Sequence, residues 1–189
     1  MKKLTLQISI LLITFSLPSF AQDLNVAAGG EIYISPTEFV HASSDVNIDS
    51  NGNLIMDSTS NDFSDFYVAG SSTGNAEYRR FTASSATRDL VSPPVSGQTF
   101  ESFASDNNTK IANGTITGGN LMYGPLNNAT SLYVEYASSD ATPLAAGTGY
   151  RAGTVSGQTL AYSGSVQTGN VPVTLTFGTG QFKENNLVG

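Results

Sequence analysis

Apolar residues recur along this chain with a period of two, in short runs broken by turn residues. The clearest run is Val171-Pro172-Val173-Thr174-Leu175-Thr176-Phe177, which places Val171, Val173, Leu175 and Phe177 on one face. Pro172 cannot donate to a ladder, so this predicted strand begins there or follows an edge. Leu132–Tyr136 alternates as well, with Leu132, Val134 and Tyr136 on one side. Further strands are predicted over 31–35, 45–49, 54–57, 66–69, 77–82, 114–116, 120–123, 150–155 and 159–162. Asn51-Gly52, Gly118-Gly119, Ala146-Gly147, Ser156-Gly157, Ser163-Gly164 and Gly169-Asn170 supply turns. No window sustains a capped 3.6-residue period, and only Phe100–Ser105 reads as a short helical turn. The expected class is all-β. A β-sandwich-like module over 75–189 follows a short solenoid-like or hairpin β segment over 22–74. The boundary is drawn at Gly70-Ser71-Ser72-Thr73-Gly74-Asn75.

The first residues follow a different pattern. Lys2 and Lys3 precede an apolar stretch from Leu4 to Leu17, and Ser19-Phe20-Ala21 offers a small-x-small cleavage site before Gln22. That is the pattern of a secretory signal peptide over 1–21. A membrane-spanning helix needs roughly 20 apolar residues. This stretch is shorter, carries Thr5, Gln7, Ser9, Thr14 and Ser16, and is closed by Pro18.

Export changes how the composition reads. The formal net charge of the whole chain is −7. The signal removes two lysines and no acid, which takes the mature chain to −9. Such a chain is repelled by phosphate backbones and anionic bilayers, which disfavours nucleic-acid binding. Cysteine and tryptophan are absent. Disulfides, thiolate metal sites and cysteine nucleophiles are therefore excluded. The stability that many small secreted domains draw from disulfides must come from burial and sheet hydrogen bonds. No cofactor is implied.

Candidate chemistry is sparse. Asn47, Asp49 and Asn51, followed by Gly52 and Leu54, imitate the first half of an EF-hand loop and form a weak Ca²⁺ candidate. The closing glutamate is replaced by Ser58, and a hairpin or coil turn at Asn51-Gly52 accounts for the same residues. A two-residue hairpin there would pair Ile48 with Ile55. His41, the sole histidine, lacks a Gly-x-Ser-x-Gly elbow to serve. Asp45, Asp49, Asp57, Asp62 and Asp65 could hold a glycosidase pair but read more simply as solvated turns and edges. Tyr78, Arg79 and Arg80 are the candidate ligand residues, because aromatic faces stack on sugars and arginine supplies forked donors. Their bland alternative is a Tyr-rich core with exposed ion pairs. Asn107, Asn113 and Asn128 each begin an N-glycosylation sequon, which in so Asn- and Thr-rich a chain arises by chance.

Tyr78-Arg79-Arg80-Phe81 and Thr87-Arg88-Asp89-Leu90-Val91-Ser92-Pro93-Pro94-Val95-Ser96-Gly97-Gln98-Thr99-Phe100 carry a resemblance. So do Pro143-Leu144, Gly147–Arg151 and Gly164–Val171. Together, over roughly 115 residues, they resemble a β-rich module of large surface proteins exported by the bacterial type IX secretion system. The resemblance implies an all-β extracellular module and brings no catalytic residues. Relatives continue past Leu-Val-Gly toward a C-terminal sorting domain. This chain stops at Leu187-Val188-Gly189, so the resemblance implies a truncated piece of a longer protein.

The expected function is that of a non-enzymatic secreted or cell-surface module of structural or adhesion type. Its expected partners are surface glycans or other cell-surface proteins. The alternative is a carbohydrate-binding module of a polysaccharide-acting protein. N-terminal sequencing of the exported chain is expected to start at Gln22. Replacing Leu11 and Leu12 by arginine is expected to leave the uncleaved precursor inside the cell.

Overall fold

In a computed structural model the described residues are mostly β, with several sheets and one short helix among them. The structure describes residues 23–116, 118–179 and 186–188, so the expected signal segment lies outside them. Short strands follow one another in layers. The first layer is β1 (Leu24–Val26), β2 (Glu31–Ile34) and β3 (Phe39–Ala42). The second is β4 (Val46–Ile48), β5 (Asn53–Met56) and β6 (Asp65–Val68). The third is β7 (Ser72–Thr73) and β8 (Ala76–Thr82).

Each strand pairs in parallel with its counterpart in the next layer. Leu24 lies beside Val46, Glu31 beside Asn53, and Ile55 beside Glu77, all 22 residues apart. Phe39 lies beside Asp65 and Val46 beside Ser72, both 26 apart, because the loop from Asp57 to Ser64 adds four residues; Ile55 to Glu77 also spans that loop, but the corner from β7 to β8 is four residues shorter than that from β4 to β5. The outer edges of β1, β2 and β3 have no ladder partner among the described residues. Val26, Ile34, Ala42, Val46, Ile48, Leu54, Met56 and Val68 point inward and are buried, which is the burial the period of two encodes. Two corners demand glycine. A Cβ on Gly52 would stand 2.7 Å from the Val26 carbonyl oxygen, and one on Gly74, at φ +79°, would stand 2.0 Å from that of Ile48.

The remaining elements are β9 (Asp89–Val91), β10 (Val95–Ser96), α1 (Phe100–Asp106), β11 (Tyr123–Asn127), β12 (Leu132–Tyr133), β13 (Tyr150–Ala152) and β14 (Gln158–Val166). β8 pairs in parallel with β5 along one edge and antiparallel with β14 along the other, from Thr82–Gln158 to Ala76–Gly164. One sheet of order β10-β14-β8-β5-β2 therefore runs through the expected boundary at residues 70–75. A second sheet, of order β12-β11-β13-β9, is antiparallel. The two sheets meet at an aromatic cluster. Tyr123 and Tyr150 come from the second sheet, Tyr162 from β14, and Phe100 and Phe103 from α1. Ring centroids there lie 4.7 to 5.9 Å apart. Helix α1 forms where expected, because the Thr99 side chain accepts from the Ser102 N–H and caps it.

Helix α1 ends at a side chain that stands in for a strand. Asn107 is 1% exposed. Its Nδ2 donates to the carbonyls of Ala161 (2.8 Å) and Phe103 (2.9 Å), and its Oδ1 accepts from the Ala161 N–H at 2.8 Å. Gln98 Oε1 accepts from the Ser163 N–H, and Lys110 Nζ donates to the Thr159 carbonyl. The β14 edge that β8 leaves open is thus closed by three side chains up to Ser163 and by β10 at Ser165 and Val166. The Asn107 sequon carries a structural amide with no exposure to spare.

Three expectations need correction. Val171–Phe177 forms no strand, and Phe177 is 84% exposed. Alternation assigns side chains to faces, but a strand also needs a neighbouring edge. Thr176 instead donates its N–H to Asn186 Oδ1, and its carbonyl accepts from the Asn128 and Asn186 amides. In Leu132–Tyr136 only Leu132 and Tyr133 are strand, and the buried member is Glu135 rather than the apolar trio. Its carboxylate accepts from the N–H groups of Thr115 (2.9 Å) and Ile116 (2.8 Å) and faces Arg151 Nη2 at 3.5 Å. That grip makes 114–116 a loop around a buried anion, where a strand was expected. Asn51-Gly52 turns a corner between two faces. Ile48 pairs with Val26, and Ile55 with Tyr33 and Glu77, so the hairpin is replaced by the coil turn.

Two outcomes follow from this packing. Asn107→Leu leaves the N–H and carbonyl of Ala161 without partners, while the Phe103 carbonyl keeps the main-chain N–H of residue 107, and is expected to lower unfolding free energy by about 2–4 kcal/mol in urea titrations. The tyrosine cluster sets an alkaline limit. Burial pushes the Tyr136 phenol from 10 up to about 12, and burial raises Tyr123 and Tyr162 too. A raised folded value favours the neutral phenol in the folded state, so this contribution is complete below pH 10 and lost as pH climbs toward 12. Denaturant titrations from pH 8 upward are expected to show falling stability above pH 10, with a shallower fall in Tyr136→Phe.

Candidate functional site

The layered strands present three outward faces. On the face of β1, β4 and β7, polar side chains stack on their own kind across the layers. Asn47 donates to Asn25 Oδ1 at 3.3 Å and accepts from Thr73 Oγ1 at 2.9 Å. Asp49 Oδ2 accepts from the Ala28 N–H at 3.1 Å, and the Asn51 carbonyl accepts from the Gly29 N–H at 2.9 Å. The weak Ca²⁺ candidates Asn47, Asp49 and Asn51 thus sit on one ladder and its corner, each holding one layer to the next.

Most of the other aspartates are engaged one by one; Asp65 is the exception among the candidates. Asp45 accepts from the Ser71 N–H (2.7 Å) and hydroxyl (3.0 Å), and these bonds hold its carboxyl below the usual range. Asp57 accepts from the Tyr33 hydroxyl and from the Ser58 N–H. Asp62 accepts from Thr59 Oγ1 at the tip of the long loop. Further along, Asp89 accepts from the Ala83 N–H and Asp140 from the Thr142 N–H. Among the described residues no three His, Asp or Glu side chains gather as a metal cluster.

The candidate trio on β8 is split by the strand's own alternation. Tyr78 and Arg80 lie on the inner side, opposite Tyr162 and Leu160 of β14. Tyr78 packs against the core, and the Arg80 guanidinium lies 4.0 Å from the centroid of the Phe63 ring. Arg79 is on the outer side, paired with Glu77. It lines a polar concavity of about 470 Å³ with Glu31, Asn53 and Asn75. Tyr78, Arg79 and Arg80 therefore form no single platform.

An aromatic face does exist, on strands where it was not expected. Phe39 and His41 of β3 and Tyr67 of β6 all point outward, with Phe39 64% and Tyr67 55% exposed. His41 lies directly beside Tyr67 in the ladder. Its ring centroid is 4.9 Å from that of Tyr67, edge to face, and 6.4 Å from that of Phe39. Asp65 stands beside Phe39 on the same face. Val40, Ala42, Phe66 and Val68 anchor the two strands to the core from behind. The sequence signal was the alternation Phe39-Val40-His41, which is too short to read without knowing that Tyr67 stacks on it 26 residues later.

Comparison with protein-family models, curated proteins and solved structures gave no match.

Proposed function

We propose that this chain is a non-enzymatic, exported β module of structural and adhesive type. In this reading, residues 23–73 are a short solenoid-like stack, and β8 joins it to a sandwich-like unit formed by the two larger sheets. The observation that carries the reading is the employment of the carboxylates. Asp45, Asp49, Asp57, Asp89 and Asp140 each accept from a backbone N–H, and Glu135 accepts from two. A hydrolase needs carboxylates held toward a substrate. Here their lone pairs secure turns and layers.

Export by the 1–21 signal, and assembly at the cell surface as in the type IX modules that 78–100 resembles, complete the proposal. Surface glycans or neighbouring cell-surface proteins are the partners. The exposed aromatic face of β3 and β6 favours a carbohydrate-binding role as the second reading.

The test uses the full chain immobilised on beads. Retention of the beads on cell-surface material, without turnover of glycoside or ester substrates, is the expected result. Turnover abolished by His41→Ala in a folded variant would overturn it. Asp45→Ala is expected to lower the melting temperature while leaving retention unchanged.

A further inference from the structure

We infer that the outer face of β3 and β6 is a stacking site for a neutral polysaccharide, with Phe39 and Tyr67 as the ring platforms and His41 between them. The inference rests on the adhesive reading above and names the ligand class of one face.

Three observations carry it. The first is the kind of apolar surface on offer. Outward positions of these two strands hold Phe39, His41, Asp65 and Tyr67, with no aliphatic side chain among them. Aromatic rings set beside hydrogen-bonding groups match a sugar, whose C–H face is apolar and whose rim is hydroxyl. The Asp65 carboxylate, the His41 imidazole and the Tyr67 hydroxyl lie in or beside the ring set. Asp65 has no side-chain hydrogen bond among the described residues, so its charge-assisted acceptor is available to a hydroxyl donor.

The second observation is charge. Residues 22–69 contain eight acidic residues and no lysine or arginine. An anionic glycan would be repelled from this stack, and so would the same face of a second copy. A neutral chain meets no such penalty. The third observation is rigidity. Four consecutive register pairs, Phe39–Asp65 to Ala42–Val68, fix the strands, and the buried Ala42 and Val68 with the half-buried Val40 and Phe66 fix the sheet to the core. The rings are held in place before the ligand arrives, which reduces the ordering cost of binding.

The experiment is affinity electrophoresis of the full chain in gels containing hydroxyethylcellulose or laminarin, with alginate as the anionic control. Retardation by at least one neutral polymer, and none by alginate, is expected. Phe39→Ala and Tyr67→Ala are expected to weaken that binding about tenfold each, the loss of one stacked ring. Both side chains are exposed, and circular dichroism checks that the variants fold. No retardation by either neutral polymer overturns the inference, as does retardation that the two variants leave unchanged. A concentration-dependent dimer abolished by Phe39→Ala would also overturn it, since a second copy would then cover the face. If bead retention on cell-surface material survives in the double variant, the inference fails while the adhesive reading stands.

Discussion

Everything in this molecule hangs on β8 having two different neighbours. Along one edge it continues the parallel ladder of β2 and β5, and along the other it starts an antiparallel ladder with β14. A strand's backbone donors and acceptors alternate between its two edges, so the two ladders never compete for the same groups. The inner face of β8 is likewise shared. Ala76 and Tyr78 pack toward the layered strands and the aromatic cluster, and Thr82 is fully buried at the far end. Seven residues thus join two styles of β architecture without a linker.

Such a junction creates an obligation at β14. That strand must have its own far edge satisfied, and only Val166 and Ser165 find a strand there, in β10. The rest of the edge is served by Asn107, Gln98 and Lys110, all close to α1. Helix α1 is therefore the bracket that presents side-chain amides to a sheet, while Phe100 and Phe103 on its buried side fill the space between the sheets. Thr154 does similar duty at the β13–β14 corner. Its hydroxyl donates toward the carbonyls of Thr82 and Ala83 and accepts from the N–H groups of Gly157 and Gln158. Polar residues that look like loop material are the ones that finish the sheets.

The sequence showed which segments were β and where turns fell, because period two and Gly-Asn punctuation are local signals. Strands near 31–34, 53–56, 65–68 and 76–82 were read close to their limits, and so was the helix at Phe100, but the turn expected at Ser163-Gly164 lies inside β14, which continues past the expected end at Tyr162 to Val166. Partnership was not legible. Nothing local tells that Ile48 will lie beside Val26 rather than Ile55, since both arrangements bury the same side chain. The same blindness misplaced the binding candidates. Arg79 follows Tyr78 and precedes Arg80 and is therefore on the opposite side of the strand from both, whereas His41 and Tyr67 are far apart in sequence and adjacent in the ladder. Val171–Phe177 shows the converse: an ideal pattern without an edge to join. Buried Glu135 was invisible for a further reason, as its tolerance depends on Arg151 and on loop amides that no spacing rule connects to it.

Among the described residues the outer edges of β1, β2 and β3 are unpaired; these strands form the first layer, which gives three ladders to the second, while the second gives two to the third. Adding a layer at that end would require no new kind of interface. It would repeat a cycle of 22 or 26 residues and lengthen the body by one strand spacing, about 4.8 Å. Length in such a body is a counted quantity, changed by duplicating a segment and insensitive to the fold beyond β8.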